Sequence, residues 1–329
     1  MPAASILIKP ASANCNMDCK YCFYKCLSSH REEYSKGFMK EETLETLVRE
    51  AIAYADGSLT FAFQGGEPTL AGLDFFQKAV ELQQKYNNKK LQIENTIQTN
   101  GVLIDEKWAR FLGEHCFLVG LSLDGPKKMH DRYRKDAAGQ DTFGRIMHSV
   151  QLLEQYHVDY NVVTVVTNDT AKQASFLYKF WKRNHYPFVQ FIPCMDEIKR
   201  QDGTQERSIY AVEPEQYGKF LCELFDLWYA DFAEGEAMDI RMFSNLAQMA
   251  AGYPAEECGM NGCCNCYFVV EGDGSVYPCD FYCMDAWKLG TVNDGFVQMK
   301  TSEKAKAFVG ASRPVCAACQ ECPYFSLCR

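Results

Sequence analysis

CNMDCKYCFYKC, from Cys15 to Cys26, holds four cysteines in twelve residues, directly after the apolar run SILIKP that begins at Ser5. Cys15, Cys19 and Cys22 stand at C-x3-C-x2-C spacing. A structural zinc site takes four nitrogen or sulfur ligands, usually as two separated pairs. No second cysteine or histidine pair follows at finger-like distance, and His30 stands alone. Three thiolates in one compact loop suit a cubane iron–sulfur cluster, in which three irons take protein sulfur and the fourth stays open to another ligand. Zinc with a more distant fourth ligand, or redox-sensing thiols, remain open at this point.

The rest of the chain narrows the class. With 329 residues and 47% hydrophobic content it can bury a large core. A net charge of -9 argues against a nucleic-acid or membrane-surface binder and fits a cationic peptide partner. No window has the length of a membrane span, and no charged segment followed by a long apolar one opens the chain. A cytoplasmic location is expected. Disulfides are rare there, so seventeen cysteines point to metal or redox chemistry.

Strand-like runs alternate with amphipathic helical ones over the first two-thirds: SILIKP, LTFAFQGG (from Leu59), LQIENTIQTNG (from Leu91), FLVGLSLDG (from Phe117), YNVVTVVT (from Tyr160) and FVQFIPC (from Phe188). Six successive βα units predict a parallel sheet, and ligands of such sheets gather at the carboxyl ends of the strands. The cysteine loop, GGEP, QTNG and LDGP all share that address. After Pro214 the pattern becomes helical, and from Cys258 onward it is loop-rich with ten cysteines. A boundary is expected near residue 235. YFVVEGDGSVYPC reads as a hairpin around Gly-Asp-Gly, returning Cys279 toward Cys264 and Cys266. Cysteine pairs beside a hairpin suit a zinc ribbon as well as an iron–sulfur site.

CNMDCKYC after a first strand resembles the signature loop of the radical S-adenosylmethionine (SAM) enzymes. The resemblance implies a partial (β/α)6 TIM-like barrel over residues 1–235, with Cys15, Cys19 and Cys22 holding a [4Fe–4S] cluster whose open iron takes SAM. Phe23 would pack by the adenine. FQGGEPTL matches the family's Gly-Gly-Glu-Pro segment: Gly65 and Gly66 let the backbone approach the methionine end of SAM, and Glu67 adds an acceptor for its ammonium. Gln98, Asn100, Ser122 and Asp124 lie at the same rim, and Arg134 offers a planar fork for the SAM carboxylate.

Residues 236–329 resemble the cysteine-rich SPASM extension, a hairpin and loop domain for auxiliary clusters. The resemblance implies that Cys258, Cys264 and Cys279 ligate a first auxiliary [4Fe–4S] cluster and Cys319, Cys322 and Cys328 a second. Relatives supply two further cysteines after a segment like YFSLCR. The sequence is therefore expected to be C-terminally truncated, each cluster being one ligand short unless Cys263, Cys266, Cys283 or Cys316 fills in.

LIKPASANCNMDCKYCFY, FAFQGGEPTLAGLDFF, CGMNGCCNC and VVEGDGSVYPCDFY are similar to the anaerobic sulfatase-maturating enzymes. This implies oxidation of a cysteine or serine in a Cys/Ser-x-Pro/Ala-x-Arg segment of an unfolded sulfatase to Cα-formylglycine. Asp280 would be the general base, and Tyr24 and Gln64 would line the site. A reductant such as flavodoxin or ferredoxin and a monomeric state are expected. A radical SAM enzyme forming thioether crosslinks in peptides is the alternative; such enzymes often carry an N-terminal leader-binding domain, and a barrel strand beginning by Ser5 disfavours them. A zinc-ribbon interaction protein on an inactive scaffold is a second alternative, which colour and metal content distinguish.

Overall fold

β-Branched and aromatic residues concentrate in six segments that form strands β1 (Ala4–Ile8), β2 (Ser58–Phe63), β3 (Gln92–Thr99), β4 (Leu118–Ser122), β5 (Tyr160–Val166) and β6 (Phe188–Pro193) in the computed structural model, which describes residues 3–197 and 207–328. They lie side by side in chain order, each parallel to the next. In β2, Leu59, Phe61 and Phe63 are buried against the helices, whereas Ser58, Thr60 and Ala62 are half-buried on the opposite face. That alternation separates a packed outer layer from a polar inner one.

Helix α1 (Phe23–Ser29) sets Leu27 against Leu7, on the face of β1 opposite Ile6 and Ile8, and the outer layer comprises α2 (Glu41–Tyr54), α3 (Leu73–Tyr86), α4 (Glu106–Glu114), α5 (Lys127–Tyr133), α6 (Phe143–Gln155), α7 (Ala174–Arg183) and α8 (Pro214–Glu234). In α2 the buried residues Leu44, Leu47, Val48, Ala51 and Ile52 recur at helical spacing and make one apolar stripe. The expected six-unit partial barrel is the architecture found. β7 (Asp239–Ile240), followed by α9 (Arg241–Ala250), pairs parallel with β6. Two residues are too few to show alternation, and the sequence indicates only helix there.

The C-terminal hairpin, β8 (Val269–Val270) and β9 (Ser275–Tyr277), turns through Gly274 at φ +83°. It does not stand apart. β8 pairs parallel with β1, Leu7 facing Val269 and Ile8 facing Val270, and the Leu7 and Lys9 amides donate to the Phe268 and Val270 carbonyls at 3.0 and 2.8 Å. An unpaired β1 edge would leave these groups unsatisfied. β10 (Gly290–Thr291) completes a ten-stranded sheet, followed by α10 (Phe296–Thr301), α11 (Glu303–Ala311), α12 (Ala317–Gln320) and α13 (Phe325–Cys328). Tyr54 of α2 meets Phe268 and Phe296 at 5.6 and 5.9 Å, so one hydrophobic core runs from barrel to hairpin.

Candidate active site

The cysteine loop leaves β1 at Lys9 and is fixed from beneath by the GGEP loop. The Glu67 amide donates to the Asn14 carbonyl at 2.8 Å. At Gly66, with φ +55°, a Cβ would collide with the Ser12 and Asn14 carbonyl oxygens. At Gly65, with φ +107°, it would run into the side chain of Lys9. The two glycines are therefore required by protein contacts as well as by any ligand.

Glu67 departs from the expected acceptor for a ligand ammonium. It is buried, and its Oε1 takes the Thr69 amide at 3.1 Å and the Thr69 and Thr99 hydroxyls at 2.7 and 2.6 Å, while Oε2 takes the Asn100 amide at 2.8 Å. Burial raises its pKa, and these donors oppose that rise. The carboxylate pins the GGEP loop to the end of β3. Asn100, so placed, donates to the Asn16 side chain at 2.8 Å and approaches Cys15 Sγ at 3.9 Å.

Cys15, Cys19 and Cys22 are half-buried free thiols. Burial pushes the thiol pKa of Cys15 up to about 11 and that of Cys19 up to about 12, the nearby Arg134 partly opposing the latter. Three soft sulfur donors on one pinned loop, with an amide N–H aimed at one sulfur, fit a cluster whose irons would displace the thiol protons. Among the described residues no three His, Cys, Asp or Glu side chains converge as ligands on a single metal ion. The corner sulfurs around a cubane stand further apart than ligands on one ion.

On the far wall, Gln98 lies against Gly120 and donates to the Ser122 hydroxyl at 3.3 Å, both on the inner face of the sheet. Arg134 is buried, its Nε donating to Asp124 at 3.0 Å and its guanidinium 5.5 Å from the Tyr21 ring. Asp124 also accepts from the Tyr21 hydroxyl and, at 3.1 Å, from the Val165 amide. The Arg134 fork is thus already held through one nitrogen by the end of β4. Phe23 packs on Phe281 at 4.9 Å, beside the hairpin.

Across the mouth, Asp280 is buried at the foot of the hairpin. Its Oδ2 takes the Tyr24 hydroxyl at 2.6 Å, and Gln64 Nε2 donates to that same hydroxyl at 2.6 Å. Three residues singled out in sequence, 256 positions apart at the extremes, therefore make one chain of hydrogen bonds. Lys9, Glu271, Arg31 and Tyr267 complete the surroundings and carry no sequence signal of their own. Lys9 Nζ lies 3.4 Å from Asp280 and 3.5 Å from Glu271, which Arg31 holds at 2.7 Å. Burial opposes the charge of Lys9, and Cys283, Asp280 and Glu271 outweigh it, leaving its pKa above that of an ordinary lysine. Tyr267 accepts from the Asp280 amide at 3.0 Å and approaches Cys279 Sγ at 3.7 Å.

The hairpin brings Cys279 within electrostatic reach of Cys258, which in turn neighbours Cys264. Cys319 has Cys316, Cys322 and Cys328 around it, with Cys316 Sγ at 3.3 Å. Two of the spare thiols are withdrawn from solvent. Cys266 is 2% exposed and turned into the core near Tyr54, and Cys283 is fully buried beside Lys9. Spacing along the chain does not reveal which way a side chain points.

Residues 10–179 match the Radical SAM superfamily, and residues 262–323 match SPASM, an iron-sulfur cluster-binding domain. The chain is 47% identical, over all of its length and 88% of the relative's, to the cysteine-type anaerobic sulfatase-maturating enzyme of Clostridium perfringens. It is 33% identical to the serine-type enzyme of Bacteroides thetaiotaomicron, over 98% of this chain and 81% of that one. The solved structure of native anSMEcpe with bound AdoMet and Cp18Cys peptide superposes with a TM-score of 0.93 at 46% identity, covering 99% of this chain and 88% of that one. Streptococcus suis SuiB bound to its precursor peptide SuiA, at 16% identity and a TM-score of 0.68 over 99% and 71% of the two chains, shares the fold.

Proposed function

The chain belongs to the radical SAM superfamily and, within it, to the anaerobic sulfatase-maturating enzymes, and on that premise we propose that it oxidises a cysteine of an unfolded sulfatase to Cα-formylglycine. The observation that carries this reading is the convergence of Asp280 with Tyr24 and Gln64 at the mouth of the barrel, on the same rim as the cysteine loop. The matches to cysteine-type enzymes at 47% and 44% identity, against 33% for a serine-type enzyme, favour cysteine as the substrate residue.

Cys15, Cys19 and Cys22 would hold the SAM-binding cluster; Cys258, Cys264 and Cys279 one auxiliary cluster, and Cys319, Cys322 and Cys328 a second. When bound, SAM and its cluster would supply the one-electron chemistry that removes a hydrogen from the substrate Cβ, and an auxiliary cluster would offer a sink for the second electron. Asp280 takes the thiol proton as the carbon–sulfur double bond forms, which requires direct or one-water reach. Tyr24 and Gln64 orient its carboxylate. Water then hydrolyses the thioaldehyde to the aldehyde, releasing hydrogen sulfide. Gly65, Gly66, Gln98, Ser122, Arg134 and Phe23 line the SAM side, and Glu67 holds that side together.

A barrel over 1–235 and a cluster-binding part over 236–329 is the division we adopt. No helix among the described residues is long and apolar enough to cross a membrane. A cytoplasmic monomer reduced by flavodoxin or ferredoxin fits this reading.

The test is anaerobic incubation with SAM, dithionite and a Cys-x-Pro-x-Arg peptide. It is expected to yield 5′-deoxyadenosine and a peptide whose mass change equals replacement of –CH2SH by –CHO. SAM cleavage with no change in either the Cys or the Ser peptide overturns the assignment. Asp280→Asn is expected to lower product formation by about 10²–10⁴-fold while SAM cleavage continues; undiminished product removes Asp280 as the base.

A further inference from the structure

We propose that Lys9 is a positioning residue for this oxidation: clamped between Glu271 and Asp280, its ammonium fixes the Asp280 carboxylate so that Oδ2 stays on Tyr24 and faces the substrate thiol. The inference rests on the reading of Asp280 as the base.

Lys9 is 2% exposed, and the charges around it are equally withdrawn: Glu271 is 0%, Asp280 6% and Arg31 8% exposed. Two cations and two carboxylates thus share one buried cluster, and each charge requires the others, because a buried ammonium without partners is strongly disfavoured. Holding the hairpin to the barrel does not require this arrangement. The β1–β8 backbone pairing and the apolar contacts of Leu7, Leu27, Val269 and Tyr277 already do so. A hydrophobic residue of similar volume commonly serves such a structural purpose equally well or better.

The geometry gives the charge a different use. Asp280 Oδ2 is hydrogen-bonded by Tyr24, whereas Oδ1 makes no hydrogen bond and meets Lys9 Nζ at 3.4 Å. The ammonium therefore restrains rotation of the carboxylate about its last torsion, one that is soft for aspartate. Lys9 itself is fixed at three points. Its amide donates to the Val270 carbonyl at 2.8 Å, its stem passes over Gly65 where no Cβ fits, and its ammonium stands 4.5 Å from the centre of the Tyr24 ring. One register thus sets both the lysine and the hairpin that bears the base, and a slip by one residue would turn Lys9 to the opposite face. Glu271, tied to Arg31, stops Lys9 from collapsing fully onto Asp280.

The experiment uses the full chain, reconstituted anaerobically, with a substrate peptide carrying a Cβ-dideuterated cysteine. Wild type, Lys9→Met and the charge-balanced Lys9→Met/Glu271→Gln variant are compared by three measures: iron content, deuterium appearing in 5′-deoxyadenosine, and formylglycine formed per 5′-deoxyadenosine. Both variants are expected to keep their iron and the deuterium transfer while the product ratio falls by about tenfold or more, the scale of loss for a misplaced catalytic group. An unchanged ratio in either variant that still transfers deuterium overturns the proposal. So does loss of iron and deuterium transfer in both variants, since Lys9 would then serve only the fold. Wild-type protein that cleaves SAM without forming formylglycine would overturn the functional reading instead, an outcome distinct from both.

Discussion

The two cysteine-rich regions of this chain are built on opposite principles. The first is a loop locked from several sides: the Glu67 amide on Asn14, the Glu67 carboxylate on the end of β3, Asn100 at Cys15, and Gly66 where a side chain would collide. In the second, Cys258, Cys319, Cys322 and Cys328 are exposed, all on or beside one-turn helices that add no strand to the sheet. Cys279, at the foot of the hairpin, is the proposed ligand that the β1–β8 pairing carries beside the barrel. On the proposed reading, a cluster would enter a cradle prepared by the barrel in the first region, whereas in the second the metal would have to supply much of the order. Binding energy of that kind becomes folding energy.

The largest expected difference between the regions is chemical. Cys15→Ala should abolish 5′-deoxyadenosine formation altogether, while Cys328→Ala should leave SAM cleavage measurable and reduce formylglycine. Chromatographic quantification of both products decides this, and equal loss of SAM cleavage in the two variants breaks the distinction.

Glycine gives the next contrast. Gly66→Ala places a Cβ against two carbonyl oxygens at φ +55° and should cost more than about 3 kcal/mol. Gly259→Ala, in the second region, meets nothing within 4 Å and should stay within about 0.5 kcal/mol. Denaturant midpoints of the two variants measured side by side give the answer, and similar losses would mean that the loop is not held as described.

The smallest effect concerns pH. His130 is buried beneath the barrel rim, its Nδ1 accepting from the Asp124 amide at 3.3 Å and its Nε2 3.0 Å from the Thr142 hydroxyl. Burial holds its pKa down at about 4 against an ordinary 6.5. The folded state therefore favours neutral imidazole, and the associated stability is present above pH 6.5 and lost as pH falls toward 4. The full loss is about 3 kcal/mol. The stability difference between wild type and His130→Gln should narrow over that window; a constant difference would exclude His130 as its source.

Much of the barrel and of the candidate site was legible in the chain. Short apolar and β-branched runs marked the strands, amphipathic patterns between them marked the helices, and C-x3-C-x2-C after the first strand marked the candidate metal loop, since each is a local signal. Glu67 was legible as a site residue, but the job it does depends on Thr69, Thr99 and Asn100 reaching it. Cys266 and Cys283 were indistinguishable in sequence from their ligand-like neighbours, and only packing shows that they face the core.

Segment patterning, a property of short stretches, thus determined the partial barrel and the rim on which its motifs collect, and cysteine spacing singled out the loop at Cys15 as a candidate metal site, with its cluster given only by the family resemblance. Only the tertiary structure decided that the C-terminal hairpin joins β1, and with it that Asp280 meets Tyr24, Gln64 and Lys9. Strand pairing between residues 7–8 and 269–270 is a contact across nearly the whole chain. Two-residue strands carry no alternation to reveal their partner, so the pairing follows from the unsatisfied edge of β1 and the shared core behind it.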